Sequence, residues 1–236
     1  MGTREFIRIL DARYGGSREL ATCRSCWNAR AVTVEGTPCV AKLIPHIPGD
    51  AKLNKRQDAR FAMERHVYAR LPESWPITLV EAFRTAIGPC IVTTAYADTG
   101  WASYRPSDAS DRAVARSLMA QLETIHRMGV AHADILLKNV LFSKPADVAI
   151  IDFEKSVRCA YGGRKQIEDY EYLVGSLCES ANTRGVAFYV VDHLLRNGKR
   201  GTARDVFVTS VGYIADDARK WRDAEAARLE REEAER

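Results

Sequence analysis

The sequence has few of the features that mark membrane, secreted or nucleic-acid-binding proteins. No stretch approaches the roughly 18 consecutive apolar residues that a membrane-spanning helix needs. The first ten residues, M-G-T-R-E-F-I-R-I-L, lack the apolar core and cleavage site of a signal peptide. The net charge is only +4 at pH 7, which gives no reason to expect a nucleic acid as a partner. These absences favour a cytoplasmic protein without a transmembrane segment.

The cysteines offer little support for a disulfide framework or a zinc site. There are six of them, scattered along the chain. Only Cys23 and Cys26 have the C-x-x-C spacing of metal ligands, and no second cysteine or histidine pair completes a set of four ligands. We therefore expect reduced thiols that serve mostly structural purposes.

The sequence does contain enough apolar residues for a substantial hydrophobic core. Its 236 residues are 46% hydrophobic, and a chain of this size can bury a substantial core.

Residues 219–236 alternate between acidic and basic side chains and have almost no apolar face, which predicts a solvated terminal helix.

The most informative segment runs from His132 to Glu154 and reads H-A-D-I-L-L-K-N-V-L-F-S-K-P-A-D-V-A-I-I-D-F-E. The turn-forming residues 144–147 separate two apolar, β-prone stretches, which predicts a β-hairpin. Such a hairpin would bring Asn139 and Asp152 to one end, beside Asp134.

These three side chains suit phosphoryl transfer. A carboxylate such as Asp134 can orient an attacking hydroxyl group, and Asn139 and Asp152 offer the hard oxygen ligands that Mg²⁺ prefers. The alternative is a loop with scattered acidic residues and an ordinary hairpin. The complete H-x-D-x-x-x-x-N pattern, followed by an apolar strand that ends on Asp-Phe, is far more specific than an H-x-D pair alone. We therefore assign Asp134 as catalytic and Asn139 and Asp152 as metal ligands.

The segment resembles the protein-kinase-like superfamily, and in particular its small atypical members. These are RIO-type kinases, Bud-type kinases and bacterial lipopolysaccharide kinases of the Kdo/heptose type. H-A-D at 132–134 is similar to their H-A-D or H-G-D form rather than to H-R-D, and D-F-E at 152–154 is similar to their D-F-E or D-F-D form rather than to D-F-G. The resemblance extends from about residue 19 to about residue 195.

The resemblance implies an α+β fold of two lobes with ATP and Mg²⁺ bound between them. A small β-rich N-lobe with one helix would comprise residues 1–94, and a mainly helical C-lobe would comprise residues 95–236. His132 would support the catalytic loop structurally.

A lysine lies inside an apolar, β-prone segment of the expected N-lobe. Residues 39–44 read C-V-A-K-L-I and follow a short apolar stretch and a turn, so they form the second arm of a predicted hairpin. A charge at this position must pair or reach a ligand, unless the lysine stem snorkels from a strand edge. The resemblance implies that Lys42 holds the α- and β-phosphates of ATP. Its expected partner is Glu64, within the apolar stripe of a predicted helix at 55–71, although Glu64 could instead be a solvated residue at the helix edge.

The segment that should cover the nucleotide departs from the family pattern. Residues 21–30 read A-T-C-R-S-C-W-N-A-R, without G-x-G-x-x-G. Small residues there could still let backbone N–H groups approach phosphate, so we assign nucleotide contacts to Arg24 and Ser25. In the family, an apolar strand such as residues 89–95 leads to a hinge whose backbone binds adenine. The hinge predicted here consists of Thr93, Thr94, Ala95 and Tyr96.

Two further residues are expected near the catalytic loop. A helix begins near residue 166, and the resemblance implies that an aspartate near its start hydrogen-bonds the loop backbone. We choose Asp169, with Glu168 as the alternative, and either carboxylate would also suit the helix N-terminus. Lys138 precedes Asn139 and could meet the transferring phosphate or an acidic group of the substrate, or it could be a solvated loop lysine.

The sequence leaves the acceptor open. Only residues 155–168 separate Glu154 from Asp169, which is too short for a regulated activation segment and a substrate platform. Ala133 also replaces the arginine that reads a phosphorylated loop in many protein kinases. We expect an ATP-dependent phosphotransferase acting on a hydroxyl group, in the first place an atypical protein serine/threonine kinase. The alternative is a kinase of lipopolysaccharide-core or other sugars. A third hypothesis is a pseudokinase-like binding module, which the glycine-poor loop permits but the retained polar site residues disfavour.

Overall fold

The structure is a computed structural model that describes residues 2–19 and 28–197. The predicted nucleotide contacts Arg24 and Ser25, the Cys23–Cys26 pair and the charged segment 219–236 lie outside the described residues. None of the described helices is long and apolar enough to cross a membrane.

The N-terminal part is built on a five-stranded antiparallel sheet in the order β1-β2-β3-β5-β4. The strands are β1 (Arg18–Glu19), β2 (Ala29–Val34), β3 (Thr37–Leu43), β4 (Leu79–Thr85) and β5 (Gly88–Thr94). Glu35 and Gly36 connect β2 to β3, and both have positive φ, 49° and 82°. Two consecutive residues of this kind match the right-handed twist of a hairpin. The predicted hairpin is therefore present, and its turn consists of residues 35 and 36.

Two helices, not one, pack against this sheet. Helix α1 (Gly2–Tyr14) places Phe6 and Leu10, one helical turn apart, in a fully buried cluster. The sheet residues of this cluster are Val32, Cys39, Ala41, Leu43, Cys90 and Val92. Helix α1 was not predicted from the sequence, because its polar residues outnumber the two that anchor it.

Helix α2 (Ala51–Tyr68) connects β3 to β4 and begins and ends three or four residues earlier than the predicted range. Its start is fixed by Asp50, whose side chain accepts a hydrogen bond from the N–H of Leu53, as an N-cap residue does. Phe61, Glu64 and Val67 form its buried face.

The C-terminal part is mainly helical. It contains α3 (Asp108–Arg127), α4 (Arg164–Cys178) and α5 (Arg184–Arg196). The inward face of α3 is buried, since Leu118, Leu122 and Ile125 have no exposed surface. Between α3 and α4 lie two antiparallel strand pairs, β6 (Val130–Ala131) with β9 (Val157–Arg158) and β7 (Val140–Ser143) with β8 (Asp147–Ile150). The α+β architecture is the one predicted, with the sheet in the N-terminal part and the helices mainly in the C-terminal part.

Candidate active site

The β7–β8 hairpin places the predicted polar residues together, because its open end carries Asn139 on one side and Asp152 on the other. Val140 pairs with Ile150 in the hairpin, and the N–H of Ile151 donates to the carbonyl oxygen of Asn139 at 3.0 Å. The pairing of β7 with β8 therefore places the two candidate metal ligands side by side at the open end of the hairpin, as the sequence predicted.

The backbone of the loop that carries Asp134 is held by hydrogen bonds to a buried carboxylate. Asp169 in α4 is fully buried and accepts the N–H groups of His132 and Ala133, each at 2.7 Å. It also contacts His126 Nε2 at 2.9 Å. Glu168, the alternative, instead points to the surface and pairs with Lys165 at 2.7 Å. Asp169 is thus the residue that organises the loop backbone.

The loop needs this support because its backbone is strained. Ala133 has φ +62°, in the left-handed region that residues with a Cβ avoid. The hydrogen bond from its N–H to Asp169 stabilises that conformation.

His132 is a neutral connector between the loop and the D-F-E segment. Its Nε2 donates to the carbonyl oxygen of Ile151 at 2.9 Å, and its Nδ1 accepts the N–H of Asp134 at 3.3 Å. Burial lowers the pKa of His132, and nearby carboxylates only partly offset this. The neutral ring therefore spans from Asp134 to the residue just before Asp152.

Asp134 is a charged carboxylate with one oxygen engaged. Its Oδ2 accepts from Asn139 Nδ2 at 3.1 Å and from Lys155 Nζ at 3.0 Å, and Lys138 Nζ lies 3.7 Å away. Although partial burial opposes ionisation, these groups hold the pKa of Asp134 below its usual value. No hydrogen bond within the described ranges uses Oδ1, which is thus free to orient a hydroxyl group.

Asn139 has the orientation that a metal ligand needs. Its amide nitrogen donates to both the backbone oxygen and the side chain of Asp134, at 2.8 and 3.1 Å. The amide carbonyl oxygen therefore faces away from Asp134, and among the described residues no hydrogen bond occupies it.

Lys42 lies at the centre of three carboxylates. Because side chains alternate along a strand, the burial of Cys39, Ala41 and Leu43 against α1 directs Lys42 to the opposite face, toward α2. Its Nζ contacts both Glu64 oxygens at 3.1 and 3.2 Å, Glu154 at 3.3 Å, and Asp152.

The charged groups of this cluster change one another's pKa values. Burial disfavours the charged amine of Lys42, but Glu64, Asp152 and Glu154 outweigh burial and raise its pKa. Burial raises the pKa of Glu64 to about 7, although Lys42 opposes that shift. The cation at Lys42 is therefore permanent, and its removal would leave Glu64 buried without a partner.

The donor set fits Mg²⁺. Glu64, Asp152 and Glu154 each offer a carboxylate oxygen, and these oxygens lie within 4.8 Å of one another. Carboxylate oxygens are hard ligands of the kind that Mg²⁺ requires, and so is the free carbonyl oxygen of Asn139. The three carboxylates also surround Lys42 Nζ, and Glu64 is bonded to that amine through both oxygens. Asp152 has φ +68°, an unfavourable conformation for aspartate that directs its carboxylate into this cluster.

Two charged residues of the site were missed by the sequence reasoning. Glu154 and Lys155 belong to a short 3-10 turn, Phe153–Lys155, in which successive side chains point about 120° apart. Glu154 therefore reaches Lys42, and Lys155 reaches Asp134. The adjacency of opposite charges directly after Asp-Phe was the available signal.

The predicted hinge is more constrained than expected. The N–H of Thr94 donates to Thr78 and the N–H of Ala95 donates to Pro38, both at 2.9 Å. These two groups are therefore not available to adenine while the sheet is intact. The N–H of Tyr96 makes no hydrogen bond within the described part of the chain.

Asp98, which the sequence reasoning passed over, anchors the end of this hinge. Its Oδ1 accepts the N–H groups of Gly100 and Phe142, both at 3.0 Å. The connection between the sheet and the helical part is thus tied to β7, close to Asn139.

Comparison with known families agrees with this geometry. Residues 92–199 match the model of the lipopolysaccharide kinase (Kdo/WaaP) family, a stretch that includes the Asp134 loop, the β7–β8 hairpin and α3 to α5. A comparison with curated proteins gave no match. The matched stretch is less than half of the chain, and of the polar site residues that the structure describes it contains all except Lys42 and Glu64. The chain is therefore a small atypical member of the protein-kinase-like superfamily with a two-lobed fold, and it is a kinase that transfers phosphate from ATP to a hydroxyl group.

Proposed function

We propose that this kinase phosphorylates a hydroxyl group of a sugar, of the type found in the lipopolysaccharide core, rather than a protein side chain. The observation that carries the proposal is the match of residues 92–199 to the lipopolysaccharide kinase model. This reverses the order of the two acceptors in the sequence analysis, where the protein serine/threonine kinase came first.

The short segment after Glu154 supports a compact acceptor. Ser156 donates to the carbonyl oxygen of His132 at 3.2 Å, and the N–H of Cys159 donates to Gly129 at 2.9 Å. Helix α4 then begins at Arg164. Residues 156–159 are therefore held against the catalytic loop and the strand before it, which leaves only residues 160–163 before α4 and no room for an extended platform on which a peptide substrate would lie.

In the proposed mechanism, the lobes meet between Thr94 and Ala95, and ATP binds between them. Lys42, fixed by Glu64, binds the α- and β-phosphates. Adenine lies at the hinge, where the free N–H of Tyr96 is the available donor, and Arg24 and Ser25 keep the phosphate contacts assigned from the sequence.

Asn139 and Asp152 are the residues that would hold a Mg²⁺ ion, which when bound would neutralise negative charge on the phosphates. Asp134 accepts a hydrogen bond from the acceptor hydroxyl through Oδ1. This contact aims the acceptor oxygen at the γ-phosphorus and gives its proton a destination as the new bond forms.

The test is a transfer assay with γ-labelled ATP and Mg²⁺. Purified protein is incubated separately with lipopolysaccharide-core oligosaccharides lacking phosphate and with a protein extract, and the label is followed in the saccharide and protein fractions. We expect label in the saccharide, reduced roughly 10²–10⁴-fold in Asp134→Asn. Label confined to serine or threonine of proteins would refute the sugar acceptor and favour the protein kinase.

A further inference from the structure

We propose that Lys155 is a further catalytic residue, which binds the γ-phosphoryl group of ATP during transfer. The sequence pointed to Lys138 for a role of this kind. In the structure, Lys155 Nζ lies 3.0 Å from Asp134 Oδ2, whereas Lys138 Nζ lies 3.7 Å from the same atom. The Lys155 side chain is also the less exposed of the two, at 43% against 62%.

The position of Lys155 is fixed by its neighbours on both sides. Phe153 is fully buried, with its ring centroid 5.0 Å from that of Tyr68 and 5.1 Å from that of His132. Ser156 is buried and bonded to the carbonyl oxygen of His132. The backbone of Lys155 is held between these two residues, so its amine reaches Asp134 from a fixed position. Such preorganisation is the condition for an effective electrostatic contact.

The geometry around Asp134 places the γ-phosphoryl group within reach of this amine. An acceptor oxygen bound at Oδ1 of Asp134 would lie about 3–3.5 Å from the phosphorus in a reactive complex. Lys155 occupies the other oxygen, Oδ2, and therefore lies on the same carboxylate as the acceptor. An ammonium group has three hydrogens to donate, so Lys155 can keep its bond to Asp134 and also donate to a phosphoryl oxygen.

No other described lysine combines these contacts. Lys42 is engaged with Glu64, Asp152 and Glu154 on the side of the α- and β-phosphates. The γ-phosphoryl group would lie between the two lysines, with Glu154 and Lys155, adjacent in one turn, connecting the two halves of the site.

The reaction step balances without any additional reagent. The acceptor oxygen forms a bond to the γ-phosphorus, and the bond from that phosphorus to the β–γ bridging oxygen breaks, with its electron pair leaving on ADP. The hydroxyl proton passes to Asp134. Lys155 keeps its proton throughout and acts only by donating hydrogen bonds to the equatorial phosphoryl oxygens.

The inference is tested by equilibrium binding, which needs no identified acceptor. Calorimetry on the whole protein with Mg²⁺ compares the affinities for ADP and for a non-hydrolysable ATP analogue. In Lys155→Met, the affinity for the triphosphate should fall by about tenfold, because one hydrogen bond to a charged group is lost. The affinity for ADP should be unchanged, which also shows that the variant is folded. The matched control Lys144→Met, on the β7–β8 turn, should change neither.

Transfer kinetics separate a catalytic role from a positioning role. If Lys155 only orients Asp134, Lys155→Met should not reduce kcat any further in a protein that already carries Asp134→Asn. If it binds the phosphoryl group, Lys155→Met should reduce kcat by roughly 10², and much of that loss should persist when Asp134 is already absent. The proposal would be overturned if Lys155→Met bound the triphosphate as tightly as the wild-type protein does. It would also be overturned if Lys138→Met lowered the affinity for the triphosphate and Lys155→Met did not. Because the binding arm uses no acceptor, a wrong sugar assignment would leave that result intact.

Discussion

The hydrogen bonds of Asp169 permit a sharp prediction about what holds the catalytic loop in place. Asp169 is fully buried and accepts from three donors, two backbone N–H groups at 2.7 Å and His126 at 2.9 Å. Asp169→Ala would leave all three without an acceptor. Each unsatisfied buried donor costs about 1–3 kcal/mol, and removal of one partner of a buried charged group costs about 3–5 kcal/mol in total. We therefore expect a loss of about 4 kcal/mol in the free energy of unfolding.

The assay is urea denaturation with linear extrapolation to water. Asp169→Asn keeps the shape but turns one acceptor into a donor, so its loss should be large as well, though smaller than that of the alanine variant. Glu168→Ala is the matched control, because the neighbouring carboxylate is only partly buried and pairs with Arg164 and Lys165 at the surface, and it should cost little stability, since surface ion pairs contribute little. A loss of less than about 1 kcal/mol for Asp169→Ala, or an equal loss for Glu168→Ala, would refute this account of the loop.

Four further outcomes are expected. Lys42→Met and Glu64→Gln should be strongly non-additive in transfer rate, since each disables the same ion pair, and additive effects would contradict the pairing. Asp152→Ala should abolish the tightening of ATP binding by Mg²⁺ in calorimetry, and an unchanged magnesium effect would remove Asp152 from the metal site. Burial lowers the pKa of His132 from its ordinary 6.5, so the unfolded chain binds a proton that the folded chain does not, and stability should fall as the pH drops below that value. In His132→Asn the slope of stability against pH should be shallower there, by up to about 1.4 kcal/mol per pH unit, and an identical slope would show that His132 does not carry the effect. Ala133→Gly should gain up to about 1 kcal/mol in urea denaturation, because relief of about 1–2 kcal/mol of backbone strain exceeds the extra entropy of the unfolded chain, and a loss of similar size would contradict the strain.

The motif residues of the site could be predicted from the sequence because they lie on a local structure. Asn139 and Asp152 flank a hairpin whose turn and apolar strands are visible in the sequence, and Asp134 lies five residues before Asn139 in a pattern with specific spacing. Lys42 and Glu64 could also be named, since a charge inside an apolar strand and a carboxylate inside an apolar helical stripe both need a partner.

Other features required the tertiary structure. Helix α1 could not be recognised as part of the sheet core, because two buried side chains in a polar segment do not form a clear periodic pattern. The choice between Asp169 and Glu168 depends on which face of α4 meets the catalytic loop, and adjacent residues on a helix point about 100° apart. The occupied N–H groups of Thr94 and Ala95 follow from long-range pairing with Pro38 and Thr78.

The sequence by itself therefore determined the class of chemistry, because phosphoryl transfer needs a small set of side chains at local spacings. Only the tertiary structure decided which of the charged neighbours complete the site. Glu154 and Lys155 point in different directions because they share one 3-10 turn, and that turn is fixed by Phe153 packing against Tyr68 in α2 and His132 in the loop. Contacts of this kind join residues that are far apart in the chain, and no local pattern of amino acids encodes them.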